Sequence, residues 1–171
     1  MKRIHRGGGR AAVLAVPLDD VEQEVLERLG ALDDGWHVYV HPRLGLDRPD
    51  FIVVHPRFGI CVVDVKDWDP AQYRQFPRGE ISHLSNGEWR PTDERPRQQV
   101  HRYRAALRSE LARLTDAAPP LHRIRGVVLM PHATTRQAEA VLTCGAVDRN
   151  DAFVQVYGYD DLVADSLIRV L

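Results

Sequence analysis

Two apolar runs constrain this chain more than any other feature. They are Asp50-Phe51-Ile52-Val53-Val54-His55 and Ile60-Cys61-Val62-Val63-Asp64-Val65, separated only by Pro56-Arg57-Phe58-Gly59. Neither run alternates apolar with polar residues, so both are expected to be strands covered on both faces. A turn this tight makes them an antiparallel pair. Asp50 opens the first strand, while Asp64 and Lys66 close the second, so the pairing brings Asp50 beside the Asp64 end of its partner. Side chains alternate along a strand, which puts Asp64 and Lys66 on one face and Val65 on the other. For Asp50 to join that face, the hairpin needs an odd-length loop or a bulge, and Gly59 suits either.

The 171 residues suffice for one domain with its own core, expected over 18–171 after a lead-in at 1–17. The composition, 44% apolar and 27% charged, is that of a soluble globular protein. No apolar run approaches the roughly 20 residues that span a bilayer. Ala11 to Leu18 follows a basic start, but it contains Pro17, meets Asp19 and Asp20, and lacks a small-residue cleavage pattern. It reads as a strand or lead-in of a cytoplasmic protein. Cys61 and Cys144 have no C-x-x-C spacing and read as reduced, small apolar side chains. A net charge of −1 excludes a polycation, so any nucleic-acid contact has to come from a local patch.

Val21, Val25, Leu26, Leu29 and Leu32 predict an amphipathic helix over Leu18 to Leu32, with Asp19 and Asp20 at its amino end. Trp36 to His41 predicts a strand stopped by Pro42. Asn86-Gly87 marks a hairpin turn within the looser stretch from Asp67 to Pro96. Helical spacing returns from Pro96 to Leu114, and Ile124 to Met130 predicts another core strand. A short helix near Thr135 to Ala140, a strand over Phe153 to Tyr157 and a helix over Asp160 to Leu171 complete the pattern. The order implies α/β or α+β layers, with a mixed sheet flanked by helices on both faces.

Two carboxylates and a lysine at the end of a buried hairpin are costly unless they satisfy one another or a cation. Hard oxygen ligands favour Mg²⁺ or Mn²⁺. Such a cation would hold a phosphate and activate water, with Lys66 orienting that water and stabilising developing charge. Taken alone, the three residues describe a buried ion pair as readily as a metal site. The context adds weight, since Pro49-Asp50, thirteen intervening residues and Asp64-Val65-Lys66 spell a PD…DxK string on a strand pair.

The stretch RPDFIVVHPRFGICVVDVKDW resembles the core of the nuclease-related domain, NERD, within the PD-(D/E)xK nuclease superfamily. Glu22 with Val25 and Leu29 is similar to the family's first-helix pattern. RPRQQVHRYRAAL resembles the helix after the core, with Gln99 and Tyr103 in a QxxxY spacing, and Ile124 to Pro131 resembles the next strand. Together these cover about 18 to 131. The resemblance implies a restriction-endonuclease-like αβββαβ core, DNA as substrate and a divalent metal, Mg²⁺ or Mn²⁺. It implies metal ligation by Asp50, Asp64 and the Val65 backbone carbonyl, a catalytic Lys66, and Glu22 as an accessory acid. Asp64 stands where most relatives carry glutamate, which moves the ligand by about one methylene. Relatives often sit at the amino end of a larger protein joined to a helicase. The resemblance therefore implies a helicase domain in the same or another chain as a partner, and this chain, which ends within an apparent helix, reads as a fragment of such a protein.

Glu22 borders the buried stripe of the first helix, whereas Glu24 and Glu27 read as solvated. Arg97, Arg102, Arg104 and Arg108 predict either a basic ridge for phosphates, with Arg104 and Arg108 one turn apart, or an ordinary solvated face. Gln99 and Tyr103 either brace Lys66 or touch DNA, or simply pack. Trp68 stacks a base or caps the core, and Trp89 staples a hairpin. The eight histidines show no metal spacing, and His37, His41 and His55 read as packed or exposed structural residues. Three function classes follow: a metal-dependent deoxyribonuclease, a DNA-binding or docking module that keeps the fold without turnover, and a structural domain pinned by an Asp64–Lys66 pair.

Overall fold

The structure is a computed structural model that describes residues 3–6, 17–32, 35–76, 79–143 and 151–161. The expected strand or lead-in over Ala11 to Leu18 and the helix over Asp160 to Leu171 fall largely outside these residues, as does Cys144. Helix α1 spans Asp20–Gly30 and starts at a capping box, in which Asp19 accepts from the Glu22 N–H and the Glu22 side chain accepts from the Asp19 N–H. Strands β2 (His37–Val40), β3 (Phe51–His55) and β4 (Gly59–Val65) follow, then β8 (Ile124–Met130) after helix α2 (Pro96–Thr115). This is the predicted αβββαβ order. Strand β9 (Val154–Gly158) and helix α3 (Thr135–Leu142) extend it.

One mixed sheet of six strands runs β1 (Arg3–Arg6), β2, β3, β4, β8 and β9, with β3 antiparallel to both β2 and β4, and β4, β8 and β9 parallel. Strand β1, inside the expected lead-in, pairs in parallel with β2. Its single apolar residue among basic ones left no strand signal, because edge pairing through the backbone needs none. Between β4 and α2, a separate three-stranded sheet forms from β5 (Tyr73–Gln75), β6 (Ile81–Ser85) and β7 (Glu88–Thr92). The sequence showed only its hairpin, in which Asn86 and Gly87 both have positive φ between the paired Ser85 and Glu88.

Helices cover both faces of the large sheet, as the unbroken apolar runs required. On one face, Val25 and Leu29 of α1 pack with Trp36, Val38, Phe51, Val53, Cys61 and Val63. On the other, Tyr103 and Leu107 of α2 pack with Ile52, Val62 and Ile124. Each fully buried large side chain stabilises the fold by about 1.5–3 kcal/mol. No helix among the described residues is long and apolar enough to cross a membrane.

Two predictions arise from this packing. Burial pushes the Cys61 thiol up to about 12. Its peptide should therefore escape alkylation by iodoacetamide in the native protein and label fully in denaturant, as read by mass spectrometry. Native labelling at Cys61 would contradict the packing. A Cβ on Gly158 would stand 2.2 Å from the Ala133 carbonyl oxygen and 2.3 Å from the Thr134 carbonyl carbon, both backbone atoms that cannot rotate away. Gly158→Ala should cost about 2–3 kcal/mol and lower Tm by roughly 5–10 °C. An unchanged melting curve would refute the close approach of β9 to the start of α3.

Candidate active site

The β3–β4 hairpin turns through Pro56, Arg57 and Phe58, since His55 pairs with Gly59. This is the odd-length loop that the geometry needed, and Gly59 takes φ of +105° to close it. The register then runs Phe51 to Val63, and one further step places Asp50 opposite Asp64. Residues opposite one another share a face. Asp50, Asp64 and Lys66 thus meet at the end of the sheet, near the start of α1 and the first turns of α2.

Asp64 is only 2% exposed, and its Oδ2 accepts no hydrogen bond among the described residues. Lys66 Nζ lies 3.2 Å from that oxygen as its ion-pair partner. Glu94, which follows β7, approaches the same ammonium at 3.9 Å. Lys66 Nζ also donates to Gln99 Oε1 at 3.5 Å, and Gln99 in turn donates to the Tyr103 hydroxyl. Asp50 Oδ2 accepts from the Val65 N–H at 2.6 Å. That hydrogen bond ties the first acid to the strand carrying the second.

Electrostatics follow from burial. Asp50 is pushed up to about 7, first by desolvation and then by the neighbouring charge of Asp64, with the Val65 hydrogen bond opposing. Burial also raises Asp64, while Lys66 pulls it back. For Lys66, burial alone would lower the pKa, but Asp64 and then Glu94 and Asp50 outweigh it and hold the ammonium above its usual value. Two acids close together with one ammonium leave negative charge uncompensated. That surplus, beside a buried Asp64, is what a divalent cation would satisfy.

Glu22 turns inward from α1. Its Oε1 lies 2.8 Å from His41 Nε2, and its side chain is 13% exposed. His41 sits directly after β2, where its N–H donates to the Asp50 carbonyl at 2.8 Å. The expectation that His41 is merely packed or exposed is corrected: its ring faces two acids of the site. The sequence offered no signal for it, since its partners lie 19 residues before it in the chain and across a strand pair. His55 does pack, against Trp36 and Phe58 with ring centroids at 4.8 and 4.6 Å. Glu94 was missed too, being an exposed acid in a stretch with no periodicity.

Of the α2 arginines that left open either a basic ridge or a solvated face, Arg104 joins neither. Arg104 is 2% exposed, and its guanidinium donates to the carbonyls of Ile124 at 2.6 Å and Leu121 at 3.1 Å, pinning α2 to β8. Arg108 donates to the Pro119 carbonyl. Arg97 and His101 share Asp151, and Arg102 pairs with Asp47. Trp68 does not face the site as a base platform, because it is buried and stacked on Tyr73 at 4.1 Å. Trp89 meets the Arg74 guanidinium on the small sheet.

Compared with models of protein families, residues 19–131 match NERD, the nuclease-related domain, over more than half of the chain. The chain belongs to the NERD family. Its mixed sheet flanked by helices is consistent with the restriction-endonuclease-like core that the resemblance implied. The match begins at Asp19, the cap of α1, and ends at Pro131 just after β8, so this NERD domain holds Glu22, Asp50, Asp64, Lys66, Gln99 and Tyr103 within it. Comparison with curated proteins and with solved structures returns no match.

Proposed function

We propose that this NERD domain hydrolyses DNA phosphodiester bonds with a divalent cation, Mg²⁺ or Mn²⁺, held by Asp50 and Asp64. The observation that carries this reading is a buried Asp64 and a half-buried Asp50 facing one another across the hairpin, with Lys66 Nζ 3.2 Å from Asp64. When bound, the cation supplies Lewis acidity and lowers the pKa of coordinated water. The chain's own residues do the rest. Asp64 anchors the Lys66 ammonium, and Gln99, braced by Tyr103, holds it from the α2 side. An amine fixed on two sides is placed to orient water and to stabilise charge developing on a phosphate oxygen. Glu22 supports the site from α1, and the Val65 carbonyl is a further ligand in this reading.

Contact with the polymer falls to the segment between β2 and β3. Arg43 and Arg48 are exposed there, without acidic partners among the described residues, on either side of the fully exposed Leu46. The Leu44–Asp47 bridge and the Arg102–Asp47 pair brace this turn just before Asp50. Phosphate contacts made here would position DNA without reading its sequence.

The test is incubation of purified protein with single- and double-stranded DNA in Mg²⁺ or Mn²⁺, with and without chelator. Cleavage that stops with chelator and in Asp64→Ala supports the reading. Full activity in Asp64→Ala ends it. A second reading, a NERD fold kept for docking beside a helicase, draws on one observation: Lys66 already has Asp64, Glu94 and Gln99 as partners, an arrangement a non-catalytic domain also needs. Salt-sensitive DNA binding with no cleavage under any divalent metal would favour it.

A further inference from the structure

We propose that Glu22, His41 and Asp50 form a second cation site, with one nitrogen donor, which shares Asp50 with the Asp50–Asp64 pair. The proposal deepens the hydrolytic reading and rests on it only for the consequence of binding. One ligand atom from each of the three residues lies within 4.8 Å of the others. Two metal–ligand bonds of about 2.0–2.4 Å reach across nearly that span, so the cluster closes on an ion with small movements.

Each side chain is delivered by a different element and held from behind. The capping box fixes Glu22, with Oε2 taking the Asp19 N–H at 3.1 Å and Oε1 left 2.8 Å from the His41 ring. Asp50 commits Oδ2 to the Val65 N–H, and its Oδ1 has no hydrogen bond among the described residues. His41 adopts φ of +46°, a left-handed conformation uncommon for non-glycine residues, and its N–H is tied to the Asp50 carbonyl. That conformation brings the imidazole to the two acids.

A plain Glu22–His41 hydrogen bond would satisfy those two groups and leave Asp50 out. One cation satisfies all three. A second, independent observation points the same way. Asp64, opposite Asp50 in the register, is buried and takes the Lys66 ammonium as its own ion-pair partner at 3.2 Å, which leaves Asp50 with the Val65 N–H as its hydrogen-bond donor among the described residues. The acids around Asp50 therefore exceed the donors provided for them. An imidazole donor disfavours Mg²⁺ relative to Mn²⁺, Co²⁺ or Zn²⁺. The two sites thus differ in selectivity, the all-oxygen pair accepting Mg²⁺ and the mixed site preferring the transition metals.

The probe is Mn²⁺ alone, added to the whole chain without DNA and followed by calorimetry and pulsed EPR. Wild type should bind two Mn²⁺ per chain and show a ¹⁴N coupling from a ligating imidazole. His41→Asn removes the ring but tolerates positive φ. Glu22→Gln keeps the capping box, which accepts either residue. Loss of an outer-shell partner already weakens metal affinity about 10–100-fold. Each variant should therefore weaken one Mn²⁺ at least tenfold, and His41→Asn should erase the ¹⁴N coupling. Wild-type affinity and coupling in both variants would overturn the proposal. If wild type also cleaves DNA, the hydrolytic reading survives that failure. An intact Mn²⁺ signal at His41 in a protein that cuts no DNA would instead sink the hydrolytic reading and leave this site standing.

Discussion

Lys66→Ala is expected to lose DNA cleavage by about 10²–10³-fold while regaining most of its stability when Mn²⁺ is added. The ammonium is the charge partner of Asp64 at 3.2 Å, and Asp64 is buried. Removing it from the metal-free protein leaves paired carboxylates without compensation, a loss of about 3–5 kcal/mol. Thermal melts in chelator should show that loss directly. A divalent cation between the acids restores the charge balance but cannot restore the amine, so stability and activity part company. This separation distinguishes the proposed hydrolytic function from a domain in which the pair only pins a hairpin. In the latter case Mn²⁺ would leave the variant's Tm where it was, and that result would count against the metal site as well.

Asp50→Asn should stabilise the metal-free protein at pH 8 and abolish its Mn²⁺ binding. Asp50 lies near 7 in the folded state against an ordinary 3.8. The folded protein therefore holds a proton that the unfolded chain has released, and stability from this group is full below about 4 and lost as pH rises through 7. Each pH unit between those values is worth about 1.4 kcal/mol. Relaxation of the site reduces what a substitution recovers, so a gain of roughly 1–3 kcal/mol is expected at pH 8. Asparagine still accepts the Val65 N–H, so the hairpin anchor survives. Melts of both proteins from pH 4 to 8 should converge at the acidic end, draw apart as pH rises towards 7 and keep a constant gap above it. Parallel curves across that range would show that Asp50 is ordinary, and that the crowding of acids inferred for the site is wrong.

Much of the fold was legible because the pattern of burial is written locally. The apolar runs at 51–55 and 60–65 and the spacing of Val25, Leu26 and Leu29 placed three core elements close to their observed bounds. Short-range chemistry was readable for the same reason, since Asp64, Lys66 and their shared face depend only on strand alternation. The small sheet between β4 and α2 was legible only at Asn86-Gly87, because strands of three to five residues with mixed polarity carry little periodic signal. The α2 arginines misled for a different reason. An arginine at helical spacing looks the same whether it meets phosphate or a backbone carbonyl, and Arg104 found two carbonyls.

Residue order alone settled the αβββαβ plan, the family resemblance and the membership of Asp50, Asp64 and Lys66 in one hairpin. Only the tertiary structure decided which other groups enter the site: His41 and Glu94 arrive, whereas Arg104 and Trp68 turn away into the core. The physical reason is that secondary structure is set by periodicity over neighbouring residues. A site is instead set by where the ends of distant elements meet, and no local pattern encodes that.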